Sequence, residues 1–221
     1  MYDHLLREPK RVVLLPLARA VPFSPNALTG LGLLLGLTAA LCCCFGWFHL
    51  ALGLWMANRV VDGLDGEVAR LRGTQTDLGG YLDILADLLV YALIPLGMAI
   101  HVNQQSVWAT LGMMLSAFYL NVGSWMYLSS ILEKHGVGAA HNQELTTVSM
   151  PRGLVEGAET GLFYCLFLLY PNHLALLFGL FSFLTFAGAA LRVRWAARTL
   201  PGLQSTKPPT SEPTAGPSML G

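Results

Sequence analysis

The feature that most constrains this 221-residue chain is a succession of long apolar stretches that fills most of its length. A helix that crosses the hydrocarbon core of a bilayer needs roughly 20 mostly apolar residues. Charged residues make up 12% of the sequence, whereas a soluble domain has about 25%. The sequence therefore predicts an all-α integral membrane protein with six transmembrane helices. These are expected at about 27–46, 48–71, 77–101, 106–133, 151–170 and 173–198.

The two ends of the chain are predicted to lie outside this bundle. Residues 1–22 mix basic and apolar side chains, and we expect a juxtamembrane amphipathic segment there, with a solvated tail as the alternative. Residues 23–199 would form the six-helix domain, with Ser24 or Asn26 capping its first helix. Residues 200–221 are rich in Pro, Ser, Thr and Gly, so we expect a disordered cytoplasmic tail.

The distribution of basic residues predicts the orientation of the helices. If the N-terminus is cytoplasmic, all 13 Lys and Arg residues except Arg59 fall on or near the cytoplasmic side. The opposite loops, around Trp47, Asn103 and Asn172, contain none. This asymmetry follows the positive-inside rule and places both termini in the cytoplasm. The net charge is zero, so nothing in the composition indicates a nucleic-acid partner.

A cluster of aspartates interrupts this apolar pattern. Five of the six aspartates of the chain lie between Asp62 and Asp87. Residues three or four apart share one face of a helix, so Asp62 and Asp65 line one stripe of the second helix. Asp83 and Asp87 line one stripe of the third. Because a short link makes the two helices antiparallel, we expect the four carboxylates to meet near the cytoplasmic end of the bundle.

Four carboxylates in an apolar environment require positive charge nearby. Carboxylate oxygens favour Mg²⁺ or Mn²⁺ over Zn²⁺, and a pair of such ions can stabilise both the attacking and the leaving oxygen of a displacement at phosphorus. Gly66, Ala69 and Gly79 leave room on the same stripes, and Arg70 suits a bidentate contact with phosphate. Divalent metal is the economical solution, and the sequence predicts a site for two such ions that also binds a phosphate-bearing substrate.

Three other charged residues lie near the cluster. We expect Asp77 to cap the third helix and Glu67 to be solvated. Arg59 lies one turn before Asp62. It is expected either to pair with Asp62 or Asp87 or to contact a phosphate of the substrate, with a purely structural counter-charge as the alternative.

The spacing of the cluster matches the signature of a known family. That signature is Asp, two residues, Asp-Gly, two residues, Ala-Arg, eight residues, Gly, three residues, Asp, three residues, Asp. This sequence supplies every position, with Asp62, Asp65, Gly66, Ala69, Arg70, Gly79, Asp83 and Asp87. The chain resembles the CDP-alcohol phosphatidyltransferases, and its helix count and its segment 24–29 agree with that family over most of residues 22–198.

The resemblance implies a membrane enzyme of phospholipid biosynthesis. Such an enzyme transfers a phosphatidyl group from a CDP-linked lipid such as CDP-diacylglycerol to a small alcohol, and CMP is released. The resemblance further implies a homodimer that contacts membrane lipid, located in the cytoplasmic (inner) membrane of a bacterium with its active site facing the cytoplasm.

The resemblance also implies roles for individual residues. Asp87 would act as the general base that takes the proton of the acceptor hydroxyl, and it would also contact metal. The remaining roles are metal binding for Asp62, Asp65 and Asp83, contact with the cytidine nucleotide for Gly66, Ala69 and Gly79, and diphosphate binding for Arg70.

The acceptor alcohol stays open. Family members that make phosphatidylglycerol phosphate or cardiolipin usually read Leu-Asp-Pro and then Ala-Asp-Lys in the last motif. Here Ile84 stands in place of that proline and Leu88 in place of that lysine, which argues against those two products. Serine, inositol, inositol phosphate, choline and other polyols remain candidates. Arg152, Glu156 and Glu159 are candidates for the acceptor side, with a structural role as the alternative.

Two other functions are compatible with acidic residues in a membrane protein. An intramembrane prenyltransferase also binds Mg²⁺-diphosphate through aspartates, but it has more helices and two separate acidic motifs. An ion- or proton-coupled transporter would use the aspartates as a relay, and transporters often contain an internal repeat. The sequence has one acidic segment and no second copy of it, so it favours the transferase.

Overall fold

The computed structural model describes residues 14–136, 155 and 157–205, with side chains described as far as residue 202. Residues 14–20 form an N-terminal helix. Within the described residues the chain is helical and contains no β-strand, which confirms the all-α prediction. The longer helices are α1 (Pro25–Cys44), α2 (Phe48–Arg72), α3 (Asp77–Val102), α4 (Gln105–Lys134), α5 (Gly157–Leu169) and α6 (Leu174–Ser205), with a 3₁₀ turn at Pro171–His173.

The helices present the surface of a membrane protein. Among the described residues, α1, α3 and the span from Pro171 to Gly202 are long and apolar enough to cross a bilayer. Large apolar side chains such as Leu34, Leu176 and Phe183 are 63%, 70% and 69% exposed, which suits contact with lipid rather than water. Of the other helices, α2 contains the charged cluster, α4 has interspersed Ser, Asn and Tyr residues, and α5 has 13 residues. The six-span count therefore stays a prediction.

The cap of α3 corrects one expectation. Thr76 precedes the helix with an extended backbone, and its hydroxyl accepts a hydrogen bond from the backbone N–H of Gly79 at 3.1 Å. Thr76 is therefore the N-cap, and the prediction of Asp77 in that role was wrong. Asp77 lies in the first turn, where its negative charge is favourable beside the positive end of the helix dipole. At α1 the expected cap is confirmed, because Ser24 accepts from the backbone N–H of Ala27.

The last helix is longer than the sequence predicted. We expected it to end near residue 198 and a disordered tail to begin at 200, but α6 continues through Pro201 to Ser205. A proline within a helix removes one backbone donor and weakens the helix without necessarily ending it. Residues 206–221, like residues 151–154 of the predicted fifth helix, lie outside the described part of the chain.

Helix α1 is the element that joins the two aspartate-bearing helices. It packs extensively against both α2 and α3, whereas α2 and α3 contact each other little. Close approach is possible because α1 presents small buried residues, namely Gly32, Gly36, Ala39, Ala40 and Cys43. At Gly36 an added Cβ would collide with the side chain of Val90 in α3. Helices α4 and α6 form another densely packed pair.

An aromatic core links the two groups of helices. Trp55 of α2 stacks on Tyr164 of α5 with ring centroids 4.9 Å apart, and both side chains are fully buried. Tyr91 of α3 stacks on Phe118 of α4 at 5.9 Å, and Phe118 packs against Phe181 of α6 at 5.3 Å. Five helices thus meet in one apolar cluster directly behind the aspartates.

A proline in α3 gives this core a polar contact. Pro95 has no backbone N–H, so the carbonyl of Tyr91, four residues earlier, loses its usual helical partner. The hydroxyl of Tyr164 donates a hydrogen bond to that carbonyl oxygen. A buried carbonyl without a partner is costly, so this contact fixes α5 against α3 at the position of the proline.

The N-terminal helix packs against the start of α1 and the last turns of α2. Ala18 is buried in a small apolar cluster with Leu28 of α1 and with Leu64 and Val68 of α2. The connection to α1 is held by Arg72, which donates hydrogen bonds to the backbone carbonyls of Phe23 at 2.7 Å and Val21 at 2.5 Å. A helix is thus present at residues 14–20, and residues 1–13 lie outside the described part of the chain, so the amphipathic character expected for residues 1–22 stays a prediction.

The close contact of α1 with α3 predicts that Gly97→Ala destabilises the fold. The added Cβ would lie 2.5 Å from the backbone oxygen of Ala40, so the two helices must separate. We expect a loss of about 1–3 kcal/mol, measured as a lower unfolding temperature in detergent. Gly112→Ala in α4 is the matched control, because nothing lies within 4 Å of its added Cβ. Equal losses in both variants would contradict the packing described.

The hydrogen bond from Tyr164 to the Tyr91 carbonyl predicts that substitutions of Tyr164 and Pro95 have non-additive effects on stability. Tyr164→Phe leaves the Tyr91 carbonyl without its partner, and we expect it to cost about 1–3 kcal/mol of stability. In a Pro95→Ala background the helix can re-form its own hydrogen bond to that carbonyl, so the same substitution should cost much less. Thermal unfolding of the four proteins of this cycle measures the difference. Independent effects would show that the Tyr164 hydroxyl does not replace the missing helical bond.

Candidate active site

The four predicted aspartates line a single small cavity. Asp62 and Asp65 enter it from α2, and Asp83 and Asp87 enter it from α3. The predicted meeting of the two acidic stripes is therefore present in the structure. The other residues that line the cavity are Thr29, Gly32 and Leu33 of α1, Asn58 of α2, and Ala86 and Val90 of α3.

Helix α1 contributes two polar contacts at the cavity. The hydroxyl of Thr29 donates a hydrogen bond of 2.6 Å to Oδ2 of Asp65, which is only 6% exposed. The side-chain amide of Asn58 donates a 2.8 Å hydrogen bond to the backbone carbonyl of Gly32. These bonds fix the register of α1 against α2 beside the carboxylates. Sequence reasoning assigned no site role to either residue.

Arg59 supplies positive charge at the cavity. Its Nη2 donates to Oδ1 of Asp87 at 2.6 Å and its Nη1 donates to Oδ2 of the same residue at 3.3 Å. Nη1 also lies 3.6 Å from Oδ2 of Asp62. Of the alternatives open for Arg59, the structure shows the pairing with both aspartates.

Neutral groups hold the guanidinium in place. Nε of Arg59 donates to Oδ1 of Asn58 at 2.8 Å, and Nη1 donates to the hydroxyl of Tyr91 at 2.9 Å. The guanidinium carbon lies 4.6 Å from the ring centroid of Trp55 and 5.3 Å from that of Tyr91, both within the range of a cation–π interaction. The aromatic core therefore binds the cation of the site from behind.

The carboxylates of the cavity repel one another. Asp62 experiences the negative charges of Asp87, Asp83 and Asp65, and among the described residues Arg59 is the cation that opposes them there. Charges of one sign at close range in an apolar setting are stable only with compensating positive charge. One guanidinium cannot compensate four carboxylates, so the cavity has an excess of negative charge.

The donor set fits a divalent cation. Carboxylate oxygens are the ligands that Mg²⁺ and Mn²⁺ prefer, and four of them face one cavity here. Among the described residues, no three Asp, Glu, His or Cys side chains already converge on one point as a finished ligand set. Asp87 and Asp62 are instead paired with Arg59. The four carboxylates thus have the chemistry and the placement that a divalent ion needs. In this structure the side chains of Asp62 and Asp87 are directed at the guanidinium of Arg59.

The residues predicted to contact the nucleotide lie beside the cavity rather than in its wall. Ala69 and Arg70 lie about one turn beyond Asp65 along α2, and Gly79 lies one turn before Asp83 in α3. An added Cβ at Gly79 would lie 3.1 Å from the Thr76 hydroxyl oxygen. An added Cβ at Gly66 would be 3.3 Å from Nη1 of Arg70. These positions surround the link between α2 and α3.

Glu67 differs from its prediction. We expected a solvated side chain, but Glu67 is 5% exposed and accepts hydrogen bonds from Nη2 of Arg70 at 2.8 Å and from Nε at 3.2 Å. The guanidinium compensates the buried charge because the two residues are three apart on one helix. The Arg70 side chain remains 41% exposed, so it is accessible to a ligand from the solvent side.

The structure describes one of the three residues predicted for the acceptor side. Glu159 lies in the first turn of α5 and is partly buried. Arg152 and Glu156 lie outside the described residues. Glu159 does not line the aspartate cavity, and its acceptor-side role stays a prediction.

Three polar residues at the site were given no site role by the sequence analysis: Thr29, Asn58 and Tyr91. Weak sequence signals point to two of them. Asn58 lies one turn before Asp62, and Tyr91 lies one turn after Asp87, so each extends an acidic stripe. Thr29 closes the polar segment that begins at Ser24.

The bond from Thr29 to Asp65 predicts the effect of Thr29→Val. The substitution keeps the shape of the side chain and removes the donor to a buried carboxylate. We expect a loss of about 1.5–3 kcal/mol, the usual range for a hydrogen bond to a charged group. Thr38→Val is the matched control, because the Thr38 hydroxyl bonds only to the backbone oxygen of Leu34 in its own helix. Similar unfolding temperatures for the two variants would contradict the role of Thr29.

The comparisons with known proteins agree with this geometry. The family model described as CDP-alcohol phosphatidyltransferase matches residues 23–196. Inner membrane protein YnjF of Escherichia coli K12 is 35% identical over 184 residues, which cover 82% of this chain and 86% of that protein. The CDP-diacylglycerol–serine O-phosphatidyltransferase of Mycobacterium tuberculosis H37Rv is 34% identical over 84 residues, or 38% of this chain and 29% of that protein.

Solved structures show the same fold. The phosphatidylinositol phosphate synthase of Mycobacterium tuberculosis with CDP-DAG bound matches with a TM-score of 0.64 at 19% identity, covering 82% of this chain and 92% of that one. A structure of the same synthase in complex with manganese and citrate matches with a TM-score of 0.63 at 19% identity, covering 90% and 92%. At this level of identity the likeness concerns the fold.

Proposed function

This chain belongs to the CDP-alcohol phosphatidyltransferase family, and we propose that it transfers a phosphatidyl group from CDP-diacylglycerol to a small alcohol with release of CMP. The observation that carries the proposal is the single cavity lined by Asp62, Asp65, Asp83 and Asp87, the four aspartates of the family signature. Family membership favours this reaction class over the prenyltransferase and the transporter considered from the sequence.

The four carboxylates are proposed as the metal ligands of the enzyme. Their oxygens suit Mg²⁺ or Mn²⁺, and the manganese complex of the mycobacterial synthase supports a divalent ion in this fold. We propose two ions, which when bound would supply positive charge to the attacking and leaving oxygens. The carboxylates would hold these ions, whose positive charge would attract the diphosphate of the donor to the cavity that α1 also lines.

Asp87 is proposed as the general base. It would take the proton from the acceptor hydroxyl, whose oxygen then forms a bond to the phosphorus that carries the lipid. The bond from that phosphorus to the oxygen of CMP breaks, and CMP leaves with the electron pair. Asp87 is suited to this role because it lies one turn farther from the start of α3 than Asp83, behind the proposed diphosphate position.

The residues beside the link of α2 and α3 are proposed to bind the nucleotide. Gly66, Ala69 and Gly79 have small side chains that allow close approach of the cytidine. Arg70 is held by Glu67 on one side and exposed on the other, so its free N–H groups would donate to the diphosphate.

The membrane arrangement follows from the basic residues. We propose six spans with both termini and the aspartate cavity on the cytoplasmic side, in the inner membrane of a bacterium, as the basic residues and the likeness to an inner membrane protein suggest. We also propose that the enzyme forms a homodimer, as the family resemblance implies.

The acceptor is proposed to be a small polar alcohol that approaches through the start of α5. Glu159 is partly buried in its first turn, and Arg152 and Glu156 precede it in the sequence. The serine phosphatidyltransferase and the phosphatidylinositol phosphate synthase named above act on different acceptors, so the alcohol is best identified by assay. Serine, inositol, inositol phosphate, choline and glycerol phosphate form the panel.

The proposal predicts the effects of aspartate substitutions on CMP release. With CDP-diacylglycerol, Mn²⁺ or Mg²⁺ and the active acceptor, Asp87→Asn should lower the rate by about 10²–10⁴-fold because the proton acceptor is lost. Asp83→Asn should lower it at least as much through loss of a ligand. Asp77→Asn is the control, since Asp77 lies in the same helix but does not line the cavity. Full activity of Asp83→Asn would refute the mechanism.

A further inference from the structure

Arg59 occupies the place in the cavity where a cation is needed. It is the one basic residue that the predicted topology does not place at the cytoplasmic side, and its side chain is only 19% exposed. We propose that Arg59 is the resident counter-cation of the carboxylate cavity and that it competes with divalent metal for Asp62 and Asp87. This inference rests on the proposed function, in which the same carboxylates bind metal.

The geometry of the guanidinium carries the first step. Both of its terminal nitrogens donate to Asp87, so the two carboxylate oxygens of that residue are occupied together. Nη1 also lies within 3.6 Å of Asp62 Oδ2 and so faces both aspartates. A cation that joined Asp62 and Asp87 would need these same oxygens. Arg59 and such an ion therefore cannot satisfy Asp87 fully at the same time.

The contacts behind the guanidinium carry the second step. Asn58, Tyr91 and Trp55 bind it through two hydrogen bonds and two aromatic faces, without any carboxylate. These contacts remain when Asp87 turns towards an ion. Arg59 would then stay beside the loaded cavity as a retained positive charge rather than leave the site.

The charge of Arg59 has opposite effects on the metal-free protein and on metal binding. Without metal, Arg59 lowers the repulsion among the aspartates and stabilises the fold. With metal, its charge repels the ion and its hydrogen bonds must be broken, so metal binding is weaker than four carboxylates alone would give. Removal of the charge should therefore destabilise the metal-free protein and tighten metal binding. If Arg59 had only a structural role, its removal would destabilise the metal-free protein but would not tighten metal binding.

The test is Mn²⁺ binding to the purified full-length protein in detergent, measured by electron paramagnetic resonance of free Mn²⁺. Arg59→Gln should lower the Kd for Mn²⁺ by about threefold to tenfold, the effect of losing one partly screened charge. Its unfolding temperature should fall without metal, and the rise on addition of Mn²⁺ should exceed that of the wild type. An unchanged or higher Kd would overturn the proposal.

Two control variants separate this effect from general destabilisation. Arg72→Gln removes an arginine of the same helix that bonds to the backbone of Phe23 and Val21, away from the cavity. It should lower the unfolding temperature equally with and without Mn²⁺ and leave the Kd unchanged. In an Asp87→Asn background, Arg59→Gln should change the Kd less, because the charge repulsion remains but the competition for Asp87 is gone, and an undiminished change there would contradict that competition.

A milder variant covers the case in which Arg59→Gln does not fold. Arg59→Lys keeps the charge but cannot make the two-pronged contact with Asp87. Its Kd for Mn²⁺ should lie between those of the wild type and of a neutral variant, and a value equal to or above the wild type overturns the proposal. If the wild-type protein binds no Mn²⁺, or binds it no more tightly than the Asp83→Asn variant does, the metal site of the proposed function is refuted instead.

Discussion

Four carboxylates that face one small cavity between apolar helices are the constraint on which the rest of the structure depends. Their charges cannot be dispersed into lipid, so the surrounding elements supply compensation. Thr29 of α1 donates to Asp65, and Arg59 pairs with Asp87 and Asp62. The aromatic core holds the guanidinium, and the small residues of α1 let that helix reach both acidic stripes. The site and the core are thus one packed unit.

Much of this unit could be predicted from local sequence. Helical spacing placed Asp62 and Asp65 on one face of α2, and Asp83 and Asp87 on one face of α3, and the bounds of the first four helices agree within about two residues. Periodicity says which residues share a face, but not which helix fills the space between two faces. The place of α1 as the shared neighbour of α2 and α3 therefore required the structure.

Contacts between distant residues account for what the sequence left open. The sequence left Asp62, Asp87 and a substrate phosphate open as partners of Arg59, because the bidentate contact with Asp87 depends on the directions of side chains 28 positions apart. Thr76 and Asp77 are both good caps, and only the extended backbone at Thr76 decides between them. We expected the charged side chain of Glu67 to be solvated. It is buried instead, because Arg70, three residues along the same helix, pairs with its carboxylate.

The proline of α3 has a consequence for movement. Pro95 separates the longer first part of α3, which carries Asp83 and Asp87, from the short end of the helix, where Gly97, Met98 and Ala99 are buried. A helix bends most readily where a backbone hydrogen bond is missing. Because the Tyr164 hydroxyl holds the freed carbonyl from another helix, bending there need not expose an unpaired group. Bending at Pro95 would change the angle between the segment that carries Asp83 and Asp87 and the end of α3, and the buried Val90 and Ile94 would have to repack with that segment.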